Sequence, residues 1–321
     1  MACNPRSNHT EAGPCGLPSF FKKGVIQMMI KLGVDNGNYN TKSSEGMLYA
    51  SGYAASDKEF ITDEMQLCYG GRYYAIGEKR VRFQQDKTKA PDTFLLTLPA
   101  IASAMKKAGV READVILGVG LPIEAYGMQK DAFRQYFLRG NLTFRFEGAD
   151  YRCHIADCKV FAQGHAALCR YYPQLRGYRS ITLADIGGYT VDVLTMHGSR
   201  LDRSSCTSLR MGTITLYTRI QDILRQRDIL LTDELVTDAI RGKIQHADQD
   251  FIRQTVEQEM QRYTRELLNT LRERGLDLKL PTVFAGGGAE LLDGLLRGGS
   301  VNTVAVLNRF ANADGYRLLL G

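Results

Sequence analysis

Nowhere does this chain of 321 residues carry an apolar run near the roughly 20 residues that a membrane-spanning helix needs. A role at a bilayer would have to come from surface attachment, and no membrane partner is expected. It also lacks any block of Lys or Arg. Its 41 basic and 35 acidic residues, a formal charge of +6, are spread along the sequence. That excludes a dedicated nucleic-acid arm and leaves only weak affinity for polyanions open. No DNA-reading motif is present. There is no CxxC pair, and seven cysteines are an odd number, so neither a disulfide framework nor a zinc ribbon is indicated. Cys153, His154, Cys158 and His165 lie close in sequence, but Cys153 and Cys158 sit in apolar strand-like text, where small buried side chains are expected rather than a metal site. A reducing, cytoplasmic setting follows. Finally, "FAGGGAE" lacks the Lys-Ser/Thr ending of a P-loop, and "GVGLP" does not complete the dinucleotide pattern.

What is there begins with an apolar fraction of 44%, enough for a substantial core in one large or two ordinary domains. Residues 1–28 read differently from the rest. They hold prolines, glycines and polar residues without a helix or strand period, which predicts a disordered extension or a mis-assigned start ahead of Met28-Met29. The stretch makes a poor signal peptide, because its Lys22-Lys23 pair follows the only apolar cluster.

From Met29 the text predicts a strand to Val34, a polar turn and extended text to Tyr49. A hairpin follows in "LCYGGRYYAIG", whose Gly70-Gly71 supply the positive φ of a two-residue turn. "DTFLLTLPAIASAMKKAG" predicts helix, with Pro99 as a kink or restart. "DVILGVGLP" predicts a buried strand, Ile123–Leu138 a helix, Leu142–Phe146 and Tyr151–Phe161 strands, and Gln163–Tyr172 a helix. The second half restarts with strands at "YRSITLADIG", Tyr189–Met196 and Leu201–Leu209. Helices are predicted over Gly212–Gln226, Thr232–Arg241 and Asp248–Arg274, then strand, glycine turn and helix in "LPTVFAGGGAELL", then a last strand and helix. Strands alternating with helices make an α/β protein, and the restart near residue 179 predicts two similar lobes.

Two turns stand out, "LGVDNGNYNTK" at Leu32–Lys42 and "LADIGGYTVD" at Leu183–Asp192. In each, an apolar strand meets an aspartate and then a glycine-bearing turn. Such turns aim successive backbone N–H groups into one concavity that suits phosphate oxygens. Gly37 and Asn38 fit the required conformations in the first, and Gly187 and Gly188 in the second. Asp35 and Asp185 are placed to hold the waters of a hydrated Mg²⁺, and Lys42 to reach a phosphate. Asp-Asn-Gly also makes ordinary hairpins, so one such turn alone would be weak. A third glycine cluster, Gly286, Gly287 and Gly288, again lies between strand and helix.

Taken in order with "VFAQG" at Val160–Gly164, "RMGT" at Arg210–Thr213 and "RFANADGY" at Arg309–Tyr316, these turns resemble the actin-like ATPase superfamily, and within it the bacterial ParM/StbA-type plasmid-segregation actins. The resemblance runs from Met29 to Gly321. It implies an actin-like two-lobed fold of duplicated ribonuclease H-like lobes with a nucleotide cleft between them. Residues 29–164 with 307–321 would form lobe I, and residues 165–306 lobe II. It also implies ATP or GTP as substrate with Mg²⁺ held through water by Asp35 and Asp185, with Gln163 orienting the attacking water and Asp192 polarising the network. The nucleotide would contact Asn36, Gly37, Asn38, Tyr39, Asn40 and Lys42 from the first turn, and Gly187, Gly188, Tyr189, Thr190 and Asp192 from the second. Gly212, Thr213 and Gly286–Gly288 would complete the site. The implied partners are further copies of the chain in a filament and a centromere-binding adaptor protein, with plasmid DNA reached only indirectly. A small-molecule kinase of the same superfamily, a chaperone-type ATPase module and a cytoskeletal scaffold stay open as alternatives.

Overall fold

Unbroken apolar text such as Val115–Leu121 can form a strand only if both faces of its sheet are covered, and Val115, Leu117, Val119 and Leu121 are indeed buried. A computed structural model describes residues 28–62, 64–84, 86–198, 200–298 and 300–321. The reading of residues 1–27, with Cys3 and Cys15, therefore lies outside the described residues.

The first sheet starts with a meander, β1 (Met29–Asn36), β2 (Asn40–Ser43) and β3 (Leu48–Ala50). β4 (Gly52–Ser56) follows, then the hairpin of β5 (Gln66–Tyr69) and β6 (Arg72–Arg80), whose turn has φ of 60° at Gly70 and 76° at Gly71, as expected. β4 is rich in small residues and was not legible as a strand. The helix expected after Pro91 is two, α1 (Asp92–Leu95) and α2 (Leu98–Lys107), with Pro99 in the first turn of α2, where its missing N–H costs nothing. β7 (Glu112–Leu121), α3 (Ile123–Phe137), β8 (Asn141–Phe146) and β9 (Ala149–Ala162) complete this half. Cys153 and Cys158 are buried on β9.

Gln163 lies outside α4 (His165–Leu175), contrary to the helix expected from residue 163, because Gly164 at φ 73° breaks the chain direction first. The second sheet then opens with another meander, β10 (Ser180–Ile186), β11 (Val191–His197) and β12 (Arg200–Leu209). Three helices follow, α5 (Thr213–Arg225), α6 (Asp233–Ile240) and α7 (Gln249–Glu273), and then β13 (Thr282–Ala285), α8 (Gly286–Leu291), α9 (Asp293–Leu296), β14 (Thr303–Val306) and α10 (Ala311–Leu319). No helix among the described residues is long and apolar enough to cross a membrane.

The first sheet has the order β3-β2-β1-β7-β9-β8-β5-β6-β4, and the second β12-β11-β10-β13-β14. β3-β2-β1-β7-β9 and β12-β11-β10-β13-β14 are one arrangement used twice: an antiparallel meander whose first strand is followed by two parallel neighbours. The fold is thus a two-lobed α/β fold with a duplicated sheet. In the second sheet, the period of two in β10 sends Ala184 and Ile186 to one core and Ile181 and Leu183 to another, so helices cover both faces.

The halves meet where α10 returns to pack on α4, β1 and β7. Glycine makes that approach possible. A Cβ on Gly315 would lie 2.1 Å from the Ala166 carbonyl oxygen, and one on Gly33 2.0 Å from that of Ala313. Gly33→Ala should therefore push α10 off β1 and cost about 1–3 kcal/mol, read as a lower urea midpoint with an unchanged slope.

Candidate functional site

The register of the two meanders explains the spacing of the two turns. Asp35, near the end of β1, pairs across the sheet with Lys42 on β2, and Asp185, near the end of β10, pairs with Asp192 on β11. Both aspartates are buried, at 3% and 8% exposure, and both line a cleft of about 400 Å³ between the two sheets, a size that suits a small organic ligand.

Each aspartate is held by an amide from one of the two segments that cross between the halves. The Gln163 Nε2 donates to Asp35 Oδ1 at 3.1 Å, and the Asn312 Nδ2 donates to Asp185 Oδ2 at 2.7 Å. The Asn312 Oδ1 in turn accepts the Gly164 N–H at 2.8 Å, which locks the two crossings together. Lys42 Nζ lies 2.9 Å from Asp35 Oδ2. The phosphate-reaching role expected of Lys42 therefore has to share its ammonium with a buried ion pair.

The glycines matter for close approach. A Cβ on Gly188 would lie 2.2 Å from the Tyr39 Cβ, so the two turns touch across the cleft, and one on Gly37 would lie 2.6 Å from the Asn40 carbonyl oxygen. The second turn is clipped to the start of α5 by the Thr213 and Ile214 N–H groups, which donate to the Gly187 and Gly188 carbonyls. Gly287 has nothing within 4 Å of where a Cβ would be, and it faces the cleft.

Of the expected residues, Asp35, Gly37, Asn38, Tyr39, Asn40, Lys42 and Gln163 line the cleft on one side. Asp185, Gly187, Gly188, Tyr189, Thr190, Asp192, Thr213, Gly287 and Gly288 line the other. Asn36, Gly212 and Gly286 do not. Asn36 turns away and donates to the Thr97 hydroxyl at 2.9 Å. Gly212 packs on the second turn, where a Cβ would meet the Gly188 carbonyl oxygen at 2.3 Å. Gly286, at φ 90°, lets the chain pass the Asp185 carboxylate.

Four residues that the sequence reading missed also belong here. Asn312 and the buried Lys87 line the cleft. Arg80 stacks on the Tyr39 ring at 3.7 Å and lies 3.7 Å from Glu234. Asp233, at the start of α6, accepts the Tyr39 hydroxyl at 2.8 Å. The pair of Tyr39 and Arg80 thus ties the first turn to α6 across the mouth. None of these lies in a glycine pattern. Only the quoted "RFANADGY" could have pointed to Asn312.

Burial pushes the Asp185 carboxyl up to about 6, with Asp35 and Asp192 adding to the rise and Lys42 opposing it. Burial likewise raises Asp192. Burial by itself would lower the Lys42 ammonium, but Asp35 and Asp185 outweigh it and hold it above its ordinary value. Among the described residues no three His, Cys, Asp or Glu side chains converge as direct metal ligands.

Residues 33–165 match the family model of the actin like proteins N terminal domain, and residues 183–298 that of the archaeal actin homologue MreB-like, C-terminal. Both halves of the chain thus match actin-homologue domains, and the fold is the two-lobed actin-like one. Solved structures of actin homologues superpose on about 91% of the chain. Ta0583, an archaeal actin homolog, does so with a TM-score of 0.71 at 18% identity, over 91% of this chain and 99% of its own. That protein has also been solved in complex with ADP. ParM from Bacillus thuringiensis, solved with AMPPNP, gives 0.69 at 14% identity over 91% and 98%. The Alp12 filament structure gives 0.62 at 16% over 91% and 98%. At these identities the likeness is one of fold. No curated protein sequence matches the chain.

The raised Asp185 carboxyl has a definite sign. The folded state binds its proton more tightly than the unfolded state, so this residue's contribution to stability falls as pH rises from its ordinary 3.8 to about 6. Asp185→Asn should leave the nucleotide-free protein more stable than wild type above pH 6, by ~1–3 kcal/mol. The difference should shrink towards pH 4 in urea titrations across that range.

Proposed function

We propose that the chain is a nucleotidase that closes its two lobes on Mg-ATP or Mg-GTP and polymerises into dynamic filaments. Its cargo would be plasmid DNA, gripped through a centromere-binding adaptor in the cytoplasm. The observation that carries this reading is the convergence of two glycine turns on one cleft, each with a buried aspartate at the same sheet position. The lobes are taken as residues 29–164 with 307–321, and residues 165–306. Filament formation is supported by the likeness to the Alp12 filament structure. Nucleotide use is supported by the ADP and AMPPNP bound to structural relatives.

Gly37 and Asn38 on one side, and Gly188 on the other, cradle the phosphates with backbone N–H groups, while the Gly187 N–H closes its turn by donating to the Thr190 carbonyl at 2.9 Å. Asp35 and Asp185 fit Mg²⁺ held through water, because two carboxylates facing one cleft suit an ion that keeps several of its waters. When bound, Mg²⁺ neutralises charge that builds on the phosphate oxygens. Gln163 reaches Asp35 from the crossing segment and orients the attacking water. The water oxygen bonds to the terminal phosphorus as the bond to the bridging oxygen breaks. Nucleoside diphosphate and orthophosphate leave; one hydrogen of the water stays on orthophosphate and the other is released to solvent as a proton.

Gln163→Ala should slow phosphate release by roughly 10-fold or more while binding of the nucleotide stays within about twofold. Loss of binding would contradict the role. Sedimentation with Mg-ATP, Mg-GTP and Mg-ADP tests assembly: pelleting with a triphosphate alone is the expected result. Phosphate transfer to a small molecule without pelleting would replace the filament by a kinase.

A further inference from the structure

The cleft contains a second lysine that no glycine turn announces. Lys87 lies between β6 and α1, is 5% exposed and lines the cleft. Among the described residues its Nζ has one hydrogen-bond partner, the Asn36 carbonyl oxygen, and no carboxylate within ion-pair distance. Asn36 immediately precedes Gly37, so the bond pins the ammonium at the root of the first turn. The charges that act on it, Asp35, Lys42 and Asp192, come from both jaws of the cleft.

An ammonium kept from water costs several kcal/mol unless its charge is met. It has three N–H donors, and the Asn36 oxygen takes one. Burial accordingly holds the Lys87 pKa below its ordinary value, with Asp35 opposing that trend. Lys42 is the opposite case, because Asp35 already neutralises it at 2.9 Å. The cation with unused donors and an unmet charge at the phosphate end is therefore Lys87. A group of oxygens carrying negative charge would satisfy both deficits, and a diphosphate lacks the outermost of the charges a triphosphate brings.

We propose that Lys87 is a catalytic residue that grips the terminal phosphate of the bound triphosphate, while Lys42 is a positioning residue that orients Asp35. This rests on the nucleotidase reading above. It moves to Lys87 the phosphate-reaching task that the sequence assigned to Lys42, and it puts triphosphate sensing on the segment that connects β6 to α1.

The test compares Lys87→Met, Lys87→Arg and Lys87→Gln with wild type, using AMPPNP against ADP, or the guanine pair if that is the purine bound. Calorimetry gives affinities and single-turnover assays give the hydrolysis rate. Lys87→Met should weaken the triphosphate analogue at least about tenfold with the diphosphate nearly unchanged, since a charge-assisted phosphate contact is lost. Hydrolysis should fall by a similar factor or more, and Lys87→Arg should recover much of both. Lys87→Gln serves the same comparison if the methionine variant does not fold. Equal weakening of both nucleotides would make Lys87 a structural clip on Asn36 and overturn the proposal, as would wild-type affinity and rate in Lys87→Met. If wild type bound neither nucleotide, the proposal and the nucleotidase reading would fall together.

Discussion

Two buried carboxylates at the ends of equivalent strands constrain everything around the cleft. Asp35 and Asp185 can stay there only because each is met by specific donors, Lys42 and Gln163 for one and Asn312 for the other. The amides come from the two places where the chain passes between its halves, and the Gly164–Asn312 bond joins those crossings. Any relative movement of the halves must therefore change how the carboxylates are satisfied. The geometry that makes this possible is backbone against backbone. α10 lies so close to α4 and β1 that Gly315 and Gly33 admit no Cβ.

Duplication of the sheet accounts for why two jaws exist, and their differences account for what each does. The residue seven positions beyond the aspartate is its cross-strand partner in both meanders. In the first it is a lysine, giving a compensated ion pair. In the second it is another acid, and both acids are pushed towards protonation by burial. The second jaw thus gathers acids without a matching base across the strand, a condition a cationic guest would relieve. The mouth is closed from the side by Tyr39 and Arg80 on one half and Asp233 and Glu234 on α6. Tyr39 thereby belongs at once to the first turn, to the packing surface under Gly188 and to this tie.

Much of this was legible because the signals are local. β1, β7 and β10 are apolar strands with abrupt polar ends, and Gly70-Gly71 demands a hairpin. Where local cues conflicted, the boundaries moved: Pro99 restarted a helix, and Gly164 kept Gln163 out of α4, which leaves its side chain free to reach Asp35. β4 escaped notice because small residues fit a strand only where a neighbour such as β6 supplies the pairing. Asn36 and Gly286 look like ligand residues in sequence, yet one faces Thr97 and the other makes room for Asp185.

The sequence by itself determined the α/β alternation, the two glycine turns and the repeated spacing from an aspartate to its partner, because turn chemistry and strand period act over a few residues. Which polar groups share the cleft was decided only by tertiary structure. Lys87, Arg80, Asp233 and Asn312 come from four separate segments, and their relation to Asp35 and Asp185 depends on how the sheets and crossing helices pack. Burial decided the rest. The two lysines of the cleft differ in the fold, because one has a carboxylate at 2.9 Å and the other, among the described residues, a carbonyl oxygen alone.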